Sequence, residues 1–285
     1  MIGQFTSTMT DEGLADPESF YDAYGEREWE RLDRTVPTRL EFENTTDYLE
    51  RALPGSGRVL DAGGGAGRYA IWLSERGYDV TLVDRSAGQL EVAREKIADR
   101  ESSDAVAIRR GDVRDLPFED GVFDAVCCLG GPLSHVPDAE DRVRAAGEIE
   151  RVARDDAPAF VSVMGRLAVL QELLLHTDVD ETHELLVPLA RTGDYDRALV
   201  EDVIEDPEWT ECHFYRADEF ERELSDAGLS VETLVGLEGI ASNCHDELDE
   251  ATEEARDSVG DLARLLREDR TVVDSSEHLL AVCRA

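Results

Sequence analysis

A cluster of glycines lies between Val59 and Arg68, after a short apolar run and before an amphipathic segment. Glycine lets the backbone turn sharply and lets a ligand approach the main chain, because no Cβ is in the way. The amides at the start of a following helix can then receive polar or anionic ligand groups. A tight turn between a strand and a helix, with no ligand, is the alternative interpretation.

The spacing of these glycines separates classes of ligand. A dinucleotide fingerprint, Gly-x-Gly-x-x-Gly, is broken because Arg68 stands where a third glycine would follow Gly63 and Gly65. A phosphate loop ending in Gly-Lys-Ser or Gly-Lys-Thr is absent from the sequence as well. The pattern that remains is acidic-x-Gly-x-Gly-x-Gly, formed by Asp61, Gly63, Gly65 and Gly67.

Short apolar runs alternate with amphipathic segments on both sides of the glycines. The predicted strands are Arg58–Asp61, Val80–Asp84, Ala105–Arg109, Phe123–Leu129 and Ala159–Met164. The predicted helices between them are Gly67–Gly77, Gly88–Arg100 and Glu140–Ala153. Alternation at this spacing predicts βαβ units and a parallel sheet with helices on both faces.

The flanking segments follow other patterns. Residues 17–53 read as helical, with a second helix from about Arg39 to Leu53. The helix Leu167–His176 and about forty residues without a clear strand interrupt the α/β pattern after Met164. The pattern resumes with helix Ala217–Ala227, strand Leu229–Val235, an acidic helix at about Asp246–Arg267 and strand Leu279–Arg284.

These elements predict an α/β fold with a Rossmann-like, seven-stranded, mostly parallel sheet. We expect four parts along the chain. They are an N-terminal helical arm or lid (1–57), a cofactor-binding core (58–165), an inserted helical cap (166–216) and the C-terminal part of the core (217–285).

The glycine pattern resembles the first cofactor motif of the class I S-adenosylmethionine (SAM)-dependent methyltransferases, and the likeness covers roughly residues 58–164. Asp84 ends the second predicted strand, where this family places an acid on the ribose hydroxyls. One carboxylate can accept both hydroxyl protons. Asp112 follows the third strand, where the family's acid or amide meets the adenine amino group, and Val113 would add an amide and an apolar wall.

The resemblance implies further cofactor contacts. Phe123–Val126 is similar to the family's FDxV segment, which opens the fourth strand and leads to Leu129. Leu129, and Arg85 next to Asp84, are also expected to contact SAM. Tyr21 and Tyr24 would cover the methionine part of SAM as lid residues, or else they are core aromatics of an amphipathic helix.

Methyl transfer from a sulfonium is an in-line displacement that leaves S-adenosylhomocysteine (SAH). Orientation and desolvation of the acceptor can carry much of the rate, and a base is needed only if the acceptor must lose a proton. His135 is the candidate base, because the resemblance places its loop near the methyl group and imidazole titrates near neutrality. The alternative is that its segment only shapes the pocket wall.

The acceptor is expected to be a small molecule. Apolar side chains of the cap suggest a substrate cavity, although helical spacing makes them core residues first. They are Leu173, Leu174, Leu185, Leu186 and Trp209. A basic cluster at Arg109, Arg110 and Arg114 leaves an RNA methyltransferase as one alternative. A SAM-binding sensor or interaction module without catalysis is another.

The charge of the chain is strongly negative, at −37 from 29 basic and 66 acidic residues, yet 41% of the residues are hydrophobic. This apolar content predicts a folded protein with a charged surface. Lys96 is the only lysine. A composition rich in acidic residues, with arginine in place of lysine, resembles that of proteins that work in molar salt. An acidic interaction surface is the alternative interpretation.

Other sequence features bear on location and partners. The start of the chain lacks the pattern of a signal peptide, and no apolar run is long enough for a membrane helix. The acidic background argues against a general nucleic-acid surface. Five cysteines suggest reduced thiols, and Cys212-His213 and Cys244-His245 lack the spacing of a zinc site. We expect a cytoplasmic monomer or homodimer without a metal.

The charge leads to a prediction about salt. In dilute buffer the acidic side chains repel one another, whereas at molar salt the Debye length falls to about 3 Å and screens them. We expect the circular dichroism signal of folded protein at molar salt to be lost as salt is removed. Full secondary structure in dilute buffer would contradict adaptation to high salt.

Overall fold

The computed structural model describes residues 14–201, 203–204, 207 and 209–285. Residues 1–13 of the predicted N-terminal arm therefore lie outside the described residues. The strands are β1 (Arg58–Ala62), β2 (Asp79–Asp84), β3 (Val106–Arg110), β4 (Ala125–Cys128), β5 (Pro158–Met164), β6 (Asp194–Tyr195), β7 (Cys212–His213), β8 (Ser230–Gly236) and β9 (His278–Arg284).

Helices connect these strands and flank the sheet. They are α1 (Pro17–Tyr24), α2 (Glu26–Arg31), α3 (Val36–Ala52), α4 (Arg68–Ser74), α5 (Ala87–Ala98), α6 (Ala139–Val152), α7 (Arg166–His176), α8 (Val179–Thr192), α9 (Arg197–Val200), α10 (Ala217–Asp226), α11 (His245–Asp249), α12 (Glu253–Leu266) and α13 (Arg270–Ser275). Short 3₁₀ helices lie at Ser103–Ala105, Pro132–His135 and Gly239–Ala241. Within the described residues, no helix is both long enough and apolar enough to cross a membrane.

The main sheet has seven strands in the order β3-β2-β1-β4-β5-β9-β8. The pairings from β3 to β5 are parallel, and β9 runs antiparallel to both β5 and β8. The predicted Rossmann-like, mostly parallel sheet is therefore confirmed. The strand order reverses between β1 and β4, and an open α/β sheet binds ligands in the crevice at such a point.

The N-terminal helices differ from the prediction in where they break. Gly25 takes a φ of +57° and separates α1 from α2. Thr35 begins α3 earlier than the predicted Arg39, because its side chain and that of Thr38 form a reciprocal capping box. The local chemistry of two residues thus divides the predicted helical arm into three helices.

Two further differences lie beyond β5. The predicted acidic helix is divided into α11 and α12, because the Thr252 side chain accepts a hydrogen bond from the Ala255 amide and starts a new helix. The segment after α8 contains an antiparallel pair, β6 and β7, that the sequence pattern did not indicate. Two-residue strands are too short to show a period of two.

The described core consists of a layer on each face of the main sheet, a separate cluster in the insert and a small cluster between α3, α11 and α12. Leu173, Leu185 and Trp209 are buried in that separate cluster. The main sheet takes β1 to β5 from residues 58–165 and both β8 and β9 from residues 217–285. The division of the chain into arm, core, cap and returning core stays a prediction about domains.

A close backbone approach at the end of β5 leads to a matched pair of substitutions. A Cβ on Gly165 would lie 2.0 Å from the Ser276 carbonyl oxygen, whereas one on Gly147 in α6 would meet nothing within 4 Å. We expect Gly165→Ala to lower the free energy of unfolding by about 1–3 kcal/mol. Gly147→Ala should raise it by about 0.5–1 kcal/mol, because alanine is the better helix former.

Denaturant unfolding at molar salt measures both variants. Equal effects of the two substitutions would show that the Gly165 backbone does not lie against the segment before β9.

Candidate functional site

A cavity of about 990 Å³, including space open to solvent, lies at the carboxyl ends of β1 to β4. The helices α1 and α2 cover it with Tyr21, Glu28 and Arg31. Gln89 of α5 holds these helices in place, because its side-chain amide donates to the carbonyls of Tyr21 (2.9 Å) and Gly25 (3.1 Å). The cavity therefore combines the strand ends with a helical cover from the N-terminal arm.

The glycine loop forms one wall of the cavity. Gly63 and Gly65 line it with φ values of +72° and +50°, which favour glycine. A Cβ on Gly63 would lie 2.5 Å from the Pro132 ring. Gly67 does not line the cavity, because it faces Ala93, Ile97 and Leu82 and lets α4 approach α5.

Asp84 lies at the carboxyl end of β2 and lines the cavity. Its Oδ2 accepts the Gly65 amide at 2.9 Å, and its Oδ1 accepts the Ser86 amide at 2.8 Å. Each oxygen keeps a further lone pair for a ligand hydroxyl. Burial raises the pKa of Asp84 to about 6. The carboxylate is thus oriented by the backbone and available to a diol.

Asp112 lines the cavity beyond β3, with Val113 beside it. Its carboxylate accepts two hydrogen bonds from the Arg114 guanidinium, at 2.9 and 2.6 Å, and lies 3.6 Å from Arg85 Nε. Burial alone would raise the pKa of Asp112, but the hydrogen bonds and charge of Arg114 outweigh it and lower the pKa. Asp112 is therefore a charged acceptor held at the cavity wall.

Asp61 lies beneath the glycine loop and does not line the cavity. A Cβ on Gly64 would lie 2.5 Å from Asp61 Oδ2. Both carboxylate oxygens are buried without a hydrogen-bond partner in the described part of the chain. Burial, with the charge of Asp84, raises the pKa of Asp61 to about 7. Asp61, which the motif predicts to be a cofactor-binding residue, therefore lies behind the glycine loop and not at the cavity wall.

Tyr21 and His135 meet at the end of the cavity that Leu129 and Gly130 also line. The Tyr21 hydroxyl lies 2.9 Å from His135 Nε2. Burial lowers the pKa of His135 to about 4 and raises that of Tyr21 well above its usual value. Both side chains are therefore neutral near pH 7. Tyr24 does not line the cavity and stacks on Phe20.

Sequence reasoning missed Glu28 and Arg31, which line the cavity from α2. Arg31 donates to Glu28 at 3.1 Å and to both oxygens of Glu41 in α3 at 2.5 and 3.0 Å. The three side chains form a charged pair facing the ligand space with a carboxylate behind it. In a chain with 66 acidic residues, no local sequence pattern distinguishes Glu28 and Glu41 from acids on the surface.

The apolar residues of the insert are not part of this cavity. None of the described residues in 166–216 lines it. Leu173 and Leu185 are buried in the insert's own core, and Leu174 is 54% exposed. The ring of Trp209 lies 6.3 Å from that of His135. The interpretation of these side chains as core residues is the one that the packing supports.

Comparison with known proteins identifies the type of domain that contains the site. A family model described as "Methyltransferase domain" matches residues 59–156, which span the glycine loop, Asp84 and Asp112. Residues 59–156 therefore form a methyltransferase domain of the class I SAM-dependent kind. The chain is 35% identical over 132 residues to a ubiquinone biosynthesis O-methyltransferase of Alkalilimnicola ehrlichii, and the alignment covers 45% of this chain and 52% of the relative. It spans about half the length of the curated relatives that it matches.

Solved structures show the same fold. A SAM-dependent methyltransferase from Methanosarcina mazei aligns with a TM-score of 0.58 at 16% identity, over 83% of this chain and 96% of the other. A geranyl diphosphate C-methyltransferase from Streptomyces coelicolor, solved in complex with Mg²⁺, geranyl diphosphate and SAH, aligns with a TM-score of 0.52 at 16% identity. That likeness covers 86% of this chain and 79% of the other chain.

The position of Asp84 leads to a prediction. Asp84→Ala should weaken SAM binding by about 1–3 kcal/mol, because two ribose hydroxyls would lose their acceptor. Binding to the unaltered protein should also weaken as the pH falls through about 6, where protonation of Asp84 removes acceptor capacity.

Calorimetric titration at molar salt measures both effects. Asp79→Ala is the matched control, because Asp79 is exposed at the opposite end of β2. If Asp84→Ala binds SAM as tightly as the unaltered protein, Asp84 is not the acceptor of the ribose hydroxyls.

Proposed function

We propose that this methyltransferase transfers the methyl group of SAM to a small-molecule acceptor by in-line displacement. The observation that carries the proposal is the convergence of Gly65, Asp84 and Asp112 on one cavity at the reversal of strand order. The chain spans about half the length of its curated relatives, so the proposal rests on this site and not on the activities of those relatives.

The cavity residues fit the chemical groups of SAM. Asp84, oriented by two amides, would accept the ribose hydroxyls. Asp112 and Val113 would hold the adenine, with Arg85 and Leu129 as further walls. The backbone at Gly63 and Gly65 would pass beside the methionine part, where a Cβ on Gly63 would clash with Pro132. Bound SAM supplies a methyl group already activated by the sulfonium.

The protein's own contribution to transfer would be orientation and exclusion of water. The helices α1 and α2 cover the cavity, and desolvation would favour attack by a nucleophile held in line. His135 is the candidate base where the acceptor must lose a proton: burial keeps its imidazole neutral, but the lowered pKa also makes it a weaker proton acceptor. Tyr21 orients that ring through its hydroxyl.

A small acceptor is favoured because two of the three arginines in the basic cluster near the cofactor edge are paired with acids. Arg110 pairs with Glu18 at 2.6 Å, and Arg114 pairs with Asp112 and Asp141. Arg109 lies over the Phe118 ring. These pairings leave little free positive charge for an RNA backbone. Neither the O-methyltransferase nor the C-methyltransferase named above identifies the acceptor atom, because fold and function are separable.

Transfer of label from methyl-labelled SAM tests the proposal. The purified protein is incubated at molar salt with a metabolite extract and, separately, with total RNA. We expect labelled product in the metabolite fraction and much less of it with Asp84→Ala. Label in RNA instead would favour the RNA alternative. Folded protein that binds SAH but labels nothing would indicate a sensor without catalysis.

A further inference from the structure

A line of alternating charges leads from the cavity into the interior. Its members, called the charge chain below, are Glu28 and Arg31 of α2, Glu41 of α3, Glu238 after β8 and His278 of β9. Arg31 joins Glu28 at 3.1 Å and Glu41 at 2.5 Å. His278 Nδ1 lies 3.6 Å from Glu41 and 2.7 Å from Glu238. Side chains from four separate parts of the fold thus form one connected network.

The inner part of the charge chain is almost completely excluded from solvent. Glu41, Glu238 and His278 are 0%, 1% and 3% exposed. Removing charges from water is costly, and well-packed apolar residues often give equal or greater stability. Loss of one partner, in contrast, leaves a buried charge without compensation. Fold stability alone therefore gives no reason to place such a network beside the ligand cavity.

The outer end of the charge chain presents opposite charges to the ligand space. Glu28 Cγ lies 3.9 Å from the position of a Cβ on Gly65, and Arg31 Nη2 lies 3.6 Å from that of a Cβ on Gly130. The bonds to Glu28 and Glu41 use three of the five N–H groups of Arg31, so two remain for a ligand. A group carrying an ammonium and a carboxylate on one carbon matches this pair.

We infer that Glu41 and His278 are positioning residues that hold Arg31 toward the amino-acid end of the cofactor. The inference rests on the proposed function. Glu41 fixes the plane of the guanidinium through two parallel hydrogen bonds, which a single-point contact does not do. His278 offsets the charge of Glu41 from behind, and Glu238 orients His278.

The protonation of the network is consistent with these roles. Burial would lower the pKa of His278, but the charges of Glu41 and Glu238 outweigh it and raise the pKa to about 9. Burial would raise the pKa of Glu41, but Arg31 and His278 outweigh it and lower the pKa. Near pH 7, a cation therefore stands on each side of the Glu41 carboxylate.

A bound metal is the competing explanation for the inner cluster. Ligand atoms of Glu41, Glu238 and His278 lie within 4.8 Å of one another, which is close enough to share an ion. The same groups are already used by the bonds from Arg31 to Glu41 and from His278 to Glu238. Protonated imidazole cannot bind a metal, so the two explanations exclude each other.

The test compares SAH with 5′-methylthioadenosine, which keeps the adenosine and the sulfur but lacks the amino-acid end. Unaltered protein should bind SAH at least about tenfold more tightly, the effect expected for charged hydrogen bonds. Glu41→Gln and His278→Gln should weaken SAH by about ten- to a hundredfold and leave methylthioadenosine within about twofold. Glu43→Gln is the control, because Glu43 lies exposed on the same helix and pairs with Arg264.

The outcomes distinguish the positioning role of Glu41 and His278 from the proposed function. Equal loss for both ligands in Glu41→Gln and His278→Gln, or no loss, would overturn the positioning role. Equal affinity of the unaltered protein for both ligands would overturn it even if neither variant folds. A stoichiometric metal found by elemental analysis would overturn the ion-pair arrangement. Failure of folded, unaltered protein to bind either ligand would instead count against the proposed function.

Discussion

The attachment of the glycine loop to the end of β2 is the interaction on which the site depends. The Val83 carbonyl accepts hydrogen bonds from the Gly63 and Gly64 amides at 2.7 and 3.2 Å. The neighbouring Asp84 carboxylate accepts the Gly65 amide. Residues of β1 and β2 thereby fix one another, so that the loop and the ribose acid have a defined separation before any ligand binds. Such preorganisation lowers the ordering cost of binding.

Burial gives the cavity a different electrostatic character from the surface. The pKa values of Asp61 and Asp84 are raised to about 7 and 6 because both carboxylates are desolvated. Glu28 has its pKa raised by burial as well, although the adjacent Arg31 opposes this. Of these three carboxylates, Asp84 and Glu28 line the cavity, where hydroxyl or ammonium groups of a ligand can add to the partners that the protein supplies.

The parts of the site that the sequence predicted are those placed by strand ends. Asp84 ends one predicted strand and Asp112 lies shortly after the next, and the carboxyl ends of parallel strands meet at one edge of the sheet. The bounds of the strands near the loop agree with the predictions within two residues or fewer at each end. Asp61 shows the limit of that reasoning, since the glycine loop itself separates it from the cavity.

The parts that the sequence did not predict depend on packing between distant segments. Glu41 meets His278 only because α3 lies against β9, more than two hundred residues further along the chain. Glu28 and Arg31 reach the cavity because Gly25 breaks the helix that precedes them. Periodicity reports which side chains share a face, but not which faces come together.

A crystal structure of the SAH complex, grown at high salt, tests the central claim most directly. Our account predicts the ribose hydroxyls at about 2.6–3.0 Å from the Asp84 carboxylate and the amino-acid end between Glu28 and Arg31. SAH bound elsewhere on the molecule, or in this cavity with its ribose away from Asp84, would contradict it.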